Sequence, residues 1–229
     1  MIKRIGLILG ALVIAGAAAA QQLPGLVGHP ERELVNPDPA RAPAGGYEID
    51  TGHTAVIGRI NHGNLSFLYF FFDPSKTTGR YVYDPANPTA TRVEVTIDPA
   101  TLTFAMPMFD LRVRSAEFLD VARYPIVRFV STEIKRTDMN HGTMTGNLTL
   151  HGVTKPITLD VTFNGAGPAG RRVKMGFSAT ADLLLADYGI DVGLNNVTDG
   201  VSLIIETEFS SVEAATVVDD VLRFLQGQR

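Results

Sequence analysis

From Thr54 onward, apolar and polar residues alternate in short runs separated by Gly, Pro, Asn and Asp clusters. The clearest run is Arg92–Asp98, where Val93, Val95 and Ile97 face one way and Arg92, Glu94, Thr96 and Asp98 the other. A period of two is the signature of a half-buried strand. The same pattern sets Ile157, Leu159, Val161 and Phe163 against Thr158, Asp160 and Thr162, and Phe177, Ala179, Ala181 and Leu183 against Ser178, Thr180 and Asp182. Near the C-terminus, Val201, Leu203, Ile205 and Phe209 oppose Ser202, Glu206 and Glu208. Runs at Thr54–His62, Ser66–Phe72, Gly79–Tyr83, Ile126–Ile134 and Thr143–Leu150 bring the expectation to about eight to ten antiparallel strands with no long helix between them. The fold class is therefore all-β. Asn140–Gly142 and His151–Pro156 have the composition of hairpin connections.

Alternation alone fits a sandwich or a closed barrel. If each strand turns its apolar set inward, small residues at Gly58, Gly146, Ala179 and Ala181 leave room in the interior. A barrel of about eight strands is just wide enough to be filled by side chains or to hold one small ligand. The residues expected to line it are Val56, Gly58, Ile60, Val95, Phe129, Leu148, Leu159, Val161, Phe177 and Leu203. Segment Ser66–Phe72 carries five aromatic rings in six consecutive positions, so both of its faces need apolar surroundings. This reading turns Phe67, Tyr69 and Phe71 inward and leaves the other face under a loop or a terminal helix. Such walls select an apolar guest, or else they complete a dry core.

The ends read differently. Met1–Ala20 has Lys3 and Arg4, an apolar run and a small-residue stretch ending at Ala20, the order of a signal peptide cleaved near that residue. Gln21–Gly46 contains five prolines and no sustained period, as expected of an extended leader with little order. Ser210 and Glu213 form a capping-box pattern, and the apolar positions from Val212 to Leu225 follow one helical face, predicting an amphipathic helix over 210–229. The barrel domain is then 47–209.

Composition removes several function classes. The net charge is −4 and the basic residues are scattered, so no footprint for nucleic acid is present. There is no cysteine, which excludes thiolate nucleophiles, zinc–thiolate sites and disulfides. No His-Glu-x-x-His spacing, nucleophile elbow or phosphate-binding glycine loop occurs. His62, on the same strand face as Val56 and Ile60, could offer a hydrogen bond at the pocket mouth, whereas His53 reads as turn chemistry. Asp110, Arg112, Arg114, Glu117 and Asp120 read as a solvated face with weak ion pairs rather than a catalytic cluster.

Four stretches, Tyr47–Gly63, Asp84–Asp98, Asp110–Phe129 and Gly146–Phe163, resemble in order and spacing the YceI-like family. The resemblance implies a lipocalin-like barrel exported to the bacterial periplasm, with an elongated apolar pocket for a polyisoprenoid chain such as a quinone or prenyl lipid, held without a covalent cofactor and without enzymatic activity. It aligns His53 and His62 with the two histidines of the family's first motif. It also aligns Gly58 with a position where Phe is usual, which suggests a wider pocket. Arg112 stands where His is common. Arg114, Ser115, Phe118 and Asp120 fall in the turn and short helix that close one side, and Leu185 stands where Arg is frequent. The expected partner is an isoprenoid lipid, with transient contact to a membrane or membrane protein and a homodimer both compatible with that role. The alternative is a filled barrel serving as a non-enzymatic accessory or stress-related interaction protein.

Overall fold

The computed structural model describes residues 35–191, 193 and 197–212. Nine strands form one antiparallel sheet: β1 (Gly45–His62), β2 (Ser66–Phe71), β3 (Thr77–Tyr83), β4 (Arg92–Ile97), β5 (Val127–Arg136), β6 (His141–Leu150), β7 (Val153–Ala169), β8 (Arg172–Leu184) and β9 (Val197–Ser211). Neighbours in sequence pair from β3 to β9, β3 pairs with the first part of β1, and β9 returns to β1 along its other edge. The result is a closed eight-strand barrel, with β2 laid against the second half of β1. Closure leaves the eight strands no free edge, and it decides between barrel and sandwich.

Turn chemistry sets the registers. Between β6 and β7, Leu150 faces Val153 across a two-residue turn in which His151 and Gly152 have φ of 51° and 74°. Positive φ at both central residues is what a type I′ hairpin demands. Between β1 and β2 the turn has three residues, Gly63–Leu65, with Gly63 and Asn64 both left-handed, and it places His62 opposite Ser66 and Gly58 opposite Phe70.

That register corrects the reading of the aromatic run. Directly paired residues point to the same face. Gly58 shares the inward face of Val56 and Ile60, so Phe70 turns inward, buried to 7% exposure, while Phe67, Tyr69 and Phe71 lie on the outer face at 45, 44 and 44%. The guanidinium of Arg59 rests 4.6 Å from the Phe67 ring centre, giving that outer ring a cation–π partner.

Two buried clusters occupy the barrel's ends. One collects Tyr47, Tyr81, Tyr83, Phe163, Val173, Met175 and Phe209 with Ala42. The end of the Pro-rich leader closes it: Asn36 exchanges backbone bonds of 2.7 and 2.9 Å with Ala166, and the Tyr47 and Tyr83 hydroxyls donate to the Pro43 and Pro39 carbonyls. Residues 35–46 are thus docked, contrary to the little order expected of the leader, because the prolines present carbonyls to buried tyrosines. The other cluster, with Ile60, Phe70, Leu102, Phe118, Leu119 and Tyr188, lies beneath a short helix, α1 (Pro107–Arg114). The capping box expected at Ser210 does not form: Ser210 pairs with Glu48 and Lys174 inside β9, which runs on to Ser211. The signal peptide and the remainder of the C-terminal helix lie outside the described residues.

Across from Glu208, β1 bulges between Asp50 and Ala55. Gly52 N donates to Asp50 Oδ1, and Lys174 Nζ lies 2.6 Å from Asp50 Oδ2 and 2.8 Å from Glu208 Oε2, with His53 Nδ1 3.1 Å from Asp50. Asp50, His53 and Glu208 bring ligand-type atoms within 4.8 Å of one another, but the lysine ammonium bridges the two carboxylates. His53 is therefore part of a turn. The Lys174 hydrogen bond, helped by His53 and the Gly52 amide, holds the Asp50 carboxyl down at about 2. A folded pKa below the unfolded one stabilises the protein above the ordinary carboxylate range, and that contribution is lost as pH falls toward about 2. Discounted for solvent screening, it is about 1 kcal/mol. Lys174→Met should cost about that much at pH 7 in denaturant unfolding and almost nothing at pH 2; an equal cost at both would place the effect in packing instead.

Candidate functional site

Between the two end clusters lies a cavity of about 260 Å³. Its wall is built by inward alternation: Ile49, Val56 and Ile60 from β1, Val93, Val95 and Ile97 from β4, Val127 and Phe129 from β5, Met144 and Leu148 from β6, Leu159 and Val161 from β7, Phe177 and Ala179 from β8, and Leu203 and Ile205 from β9. Among the expected residues, Val56, Ile60, Val95, Phe129, Leu148, Leu159, Val161, Phe177 and Leu203 stand on this wall.

Five expected positions do not. Phe67, Tyr69 and Phe71 are outside, for the reason of register given above. His62 ends β1 opposite Ser66 and Val197, beyond Ile60, and is not part of the lining. Gly58 faces inward, but the pocket is not widened there: a Cβ on Gly58 would meet Phe70 Cζ at 1.9 Å, so the Phe70 ring occupies the space over the glycine. In place of Phe67, Tyr69 and Phe71, β2 contributes Phe70, and Phe72 follows from just past its end. The signal available in the sequence was the length of the Gly63–Leu65 turn. Gly146 is similarly roofed, with its Cβ position 2.4 Å from the Phe129 ring.

At the α1 end the cavity is bounded by Leu102, Phe104, Phe109, Val113, Phe118, Leu119, Leu185 and Ile190. Phe70, Phe104 and Phe109 make a chain of aromatic contacts, with centroids 5.3 and 5.0 Å apart. Leu185, where the resemblance placed an arginine, thus adds apolar lining. Met106, Met108 and Leu111 are exposed on the outside of this segment.

Asp110 anchors the segment, and it is not part of a solvated face: it is only 3% exposed and accepts from Thr103 Oγ1 at 2.6 Å and Phe104 N at 2.8 Å, with Arg114 at 3.7 Å. Burial alone would raise its carboxyl pKa, but the two hydrogen bonds and Arg114 outweigh it and hold the group below its ordinary value. Arg112 and Glu117 form an exposed ion pair on the same segment.

Polar groups on the wall are few. Thr54, released inward by the bulge, donates its hydroxyl to the Asp50 carbonyl at 2.8 Å and sits 2.9 Å from Thr207 Oγ1. Tyr81 adds a phenol. No acid–base pair, nucleophile or cation-binding group faces this space among the described lining residues. An apolar cavity of about 150 Å³ already stays dry and takes up a benzene-sized guest, so the present one favours a larger hydrocarbon.

Comparison with known proteins agrees with this architecture. Residues 47–209 match the YceI-like domain. A UPF0312 protein of Pseudomonas putida strain W619 is 41% identical over 154 residues, covering 66% of this chain and 79% of that protein. Among solved structures, the YCEI protein of Campylobacter jejuni superposes with a TM-score of 0.57 at 26% identity, covering 65% of this chain and 88% of that one. A polyisoprenoid binding domain from Saccharophagus degradans, implicated in plant cell wall breakdown, has a TM-score of 0.52 at 15% identity, over 72% of this chain and 98% of that one, a likeness of fold. With that domain matched from its first strand into its last, the chain belongs to the YceI-like family.

Proposed function

We propose that this protein is a lipid-binding protein of the bacterial periplasm that encloses a polyisoprenoid chain, the tail of a quinone or prenyl lipid, for transport or storage. The observation that carries the reading is the cavity of about 260 Å³ with an almost entirely hydrocarbon wall. At about 0.8 kcal/mol per buried CH₂, ten such groups supply about 8 kcal/mol, roughly micromolar affinity before ordering costs. Branched isoprene units suit a wall of branched and aromatic side chains. The structural neighbour named for polyisoprenoid binding shares the barrel, which lends the class of ligand further support. The role needs binding alone, and among the described residues the wall offers no catalytic group; a filled barrel acting only through partners would have no use for this open space.

The guest is expected to pass at the α1 end. The opposite end is stoppered by Tyr47, Met175 and Ala166, all essentially inaccessible, and by the docked leader. The α1 end is covered by one short helix and its flanking turns. The test is to isolate the protein from a bacterial periplasm, extract it with organic solvent and weigh the extract by mass spectrometry. A stoichiometric isoprenoid lipid is expected. No such lipid, together with no uptake of a quinone or prenol by the stripped protein, would overturn the reading.

A further inference from the structure

The outside of the barrel carries a second concavity. An open groove of about 420 Å³ runs over β8, β9 and the end of β1, with Phe67 of β2 at its edge. Register places its walls. Tyr69 pairs with Arg59, Arg59 with Ser202, and Ser202 with Asp182, so the outward turn of Tyr69 carries the other three to the same face. Arg59 and Asp182 therefore stand two strand spacings apart, about 9–10 Å. The floor between them is low, because Ser202 is small and a Cβ added to Gly200 would meet nothing nearer than 3.9 Å.

Charges of both signs face this groove without neutralising each other. Arg59 leans over the Phe67 ring, and its Nε is buried with no hydrogen-bond partner among the described residues. On the other wall are Asp182 and, from the turn after β8, Asp187. Among the described residues none of the three forms an ion pair. Asn61 adds a donor beside Arg59: its Oδ1 accepts from Asn64 N at 2.8 Å, which leaves the amide N–H groups to give. One wall thus suits an anion and the other a cation. A phosphoethanolamine, whose phosphate and primary ammonium are joined by an ethylene link, presents both.

The surroundings fit a zwitterion that carries hydrocarbon. Leu184, 49% exposed, and Phe67 line the groove, and Leu65, 89% exposed, projects from the β1–β2 turn beside it. Tyr69 and Phe71 continue the half-exposed row along β2. A contiguous apolar patch of this kind marks an interaction surface, and this one lies at the α1 end of the barrel.

We infer that the groove seats the phosphoethanolamine head group of a bilayer phospholipid, with its phosphate on Arg59 and Asn61 and its ammonium on Asp182 and Asp187, and so docks the α1 end on a membrane. The inference goes beyond the polyisoprenoid reading and is separable from it, since the groove lies outside the bore.

The test is flotation of the protein, as isolated from a bacterial periplasm, with vesicles that contain no isoprenoid. The vesicles are phosphatidylcholine alone, or an equal mixture with phosphatidylethanolamine or with phosphatidylglycerol. At an exposed site an ion pair is worth at most about fivefold in affinity. Binding to the phosphatidylethanolamine mixture should exceed the other two by about that factor, because choline has no N–H for the aspartates and phosphatidylglycerol has no ammonium. Arg59→Gln should lower it about fivefold. Asp182→Asn with Asp187→Asn should erase the preference without moving the unfolding curve, as both side chains are exposed and unbonded. Equal binding to the three vesicles, unchanged binding by Arg59→Gln, or a preference that survives the double substitution would overturn the inference and leave the lipid-binding reading untouched. A stripped protein that takes up no isoprenoid yet keeps the vesicle preference would do the reverse.

Discussion

Ala179→Phe should lower isoprenoid affinity at least about 100-fold while leaving the barrel folded. Ala179 faces inward from β8 between Val161 on β7 and Ile205 on β9, and all three line the cavity. A ring projected from that point enters a space of about 260 Å³ and takes volume the guest would use. Displacing four buried CH₂ groups forfeits about 3 kcal/mol, which alone is more than 100-fold. The barrel itself loses little, since the ring fills open volume; any overpacking stays within about 1–3 kcal/mol. Thr180→Phe is the control, because Thr180 is exposed on the outer face one residue away. Uptake of a fluorescent prenol by both variants, read beside their unfolding curves, decides the matter. Equal uptake by Ala179→Phe and the wild-type chain would put the ligand outside the bore.

What alternation can and cannot say is visible at particular residues. Val93, Val95 and Ile97 were legible because Arg92, Glu94 and Thr96 between them are polar, so only one face could be buried. In Phe67–Phe72 both faces are apolar, and hydrophobicity carries no parity. There the deciding information is the three-residue turn Gly63–Leu65, which fixes Gly58 opposite Phe70. Gly58 itself gives the other half of the lesson. A glycine where the family resemblance leads one to expect Phe suggests space, yet the ring arrives from the neighbouring strand, because barrel volume is filled across strands rather than along one.

The strand ends were less legible than the centres. The alternating run read from the sequence ends at Phe163, but β7 continues through Gly165, Gly167 and Pro168, where Gly165 takes φ of 142° and Pro168 pairs with Val173. Ser210 read as a helix cap, but partners on both sides, Glu48 and Lys174, keep it in the sheet. Local propensity lost to tertiary pairing in both cases. Thr54 and Thr207 also escaped notice, since nothing in a threonine's neighbours reveals that a bulge turns one inward.

Asp110→Ala should destabilise the segment over the bore by about 2–4 kcal/mol and speed ligand release. The carboxylate accepts from Thr103 Oγ1 and Phe104 N, and so ties α1 to the turn that carries Phe104; Phe104 and Phe109 then roof the cavity. Hydrogen bonds to a charged acceptor are worth about 1.5–3 kcal/mol each, and their loss would leave buried donors unmet. Arg114, whose Nε is already buried without a hydrogen bond, would also lose its nearest carboxylate. The cost is local. Amide exchange over 103–114 is expected to quicken by about 30-fold or more while the strands keep their protection, and the off-rate of a bound prenol to rise with it. The sign with pH follows from the lowered carboxyl: its contribution is present above the ordinary carboxylate range and fades as pH falls below it, so the wild-type cover loosens in acid and Asp110→Ala shows no change in that window. Unchanged exchange in the variant would show that the apolar contacts of Phe104, Phe109 and Val113 hold the cover unaided, and unchanged release would move the ligand's path away from α1.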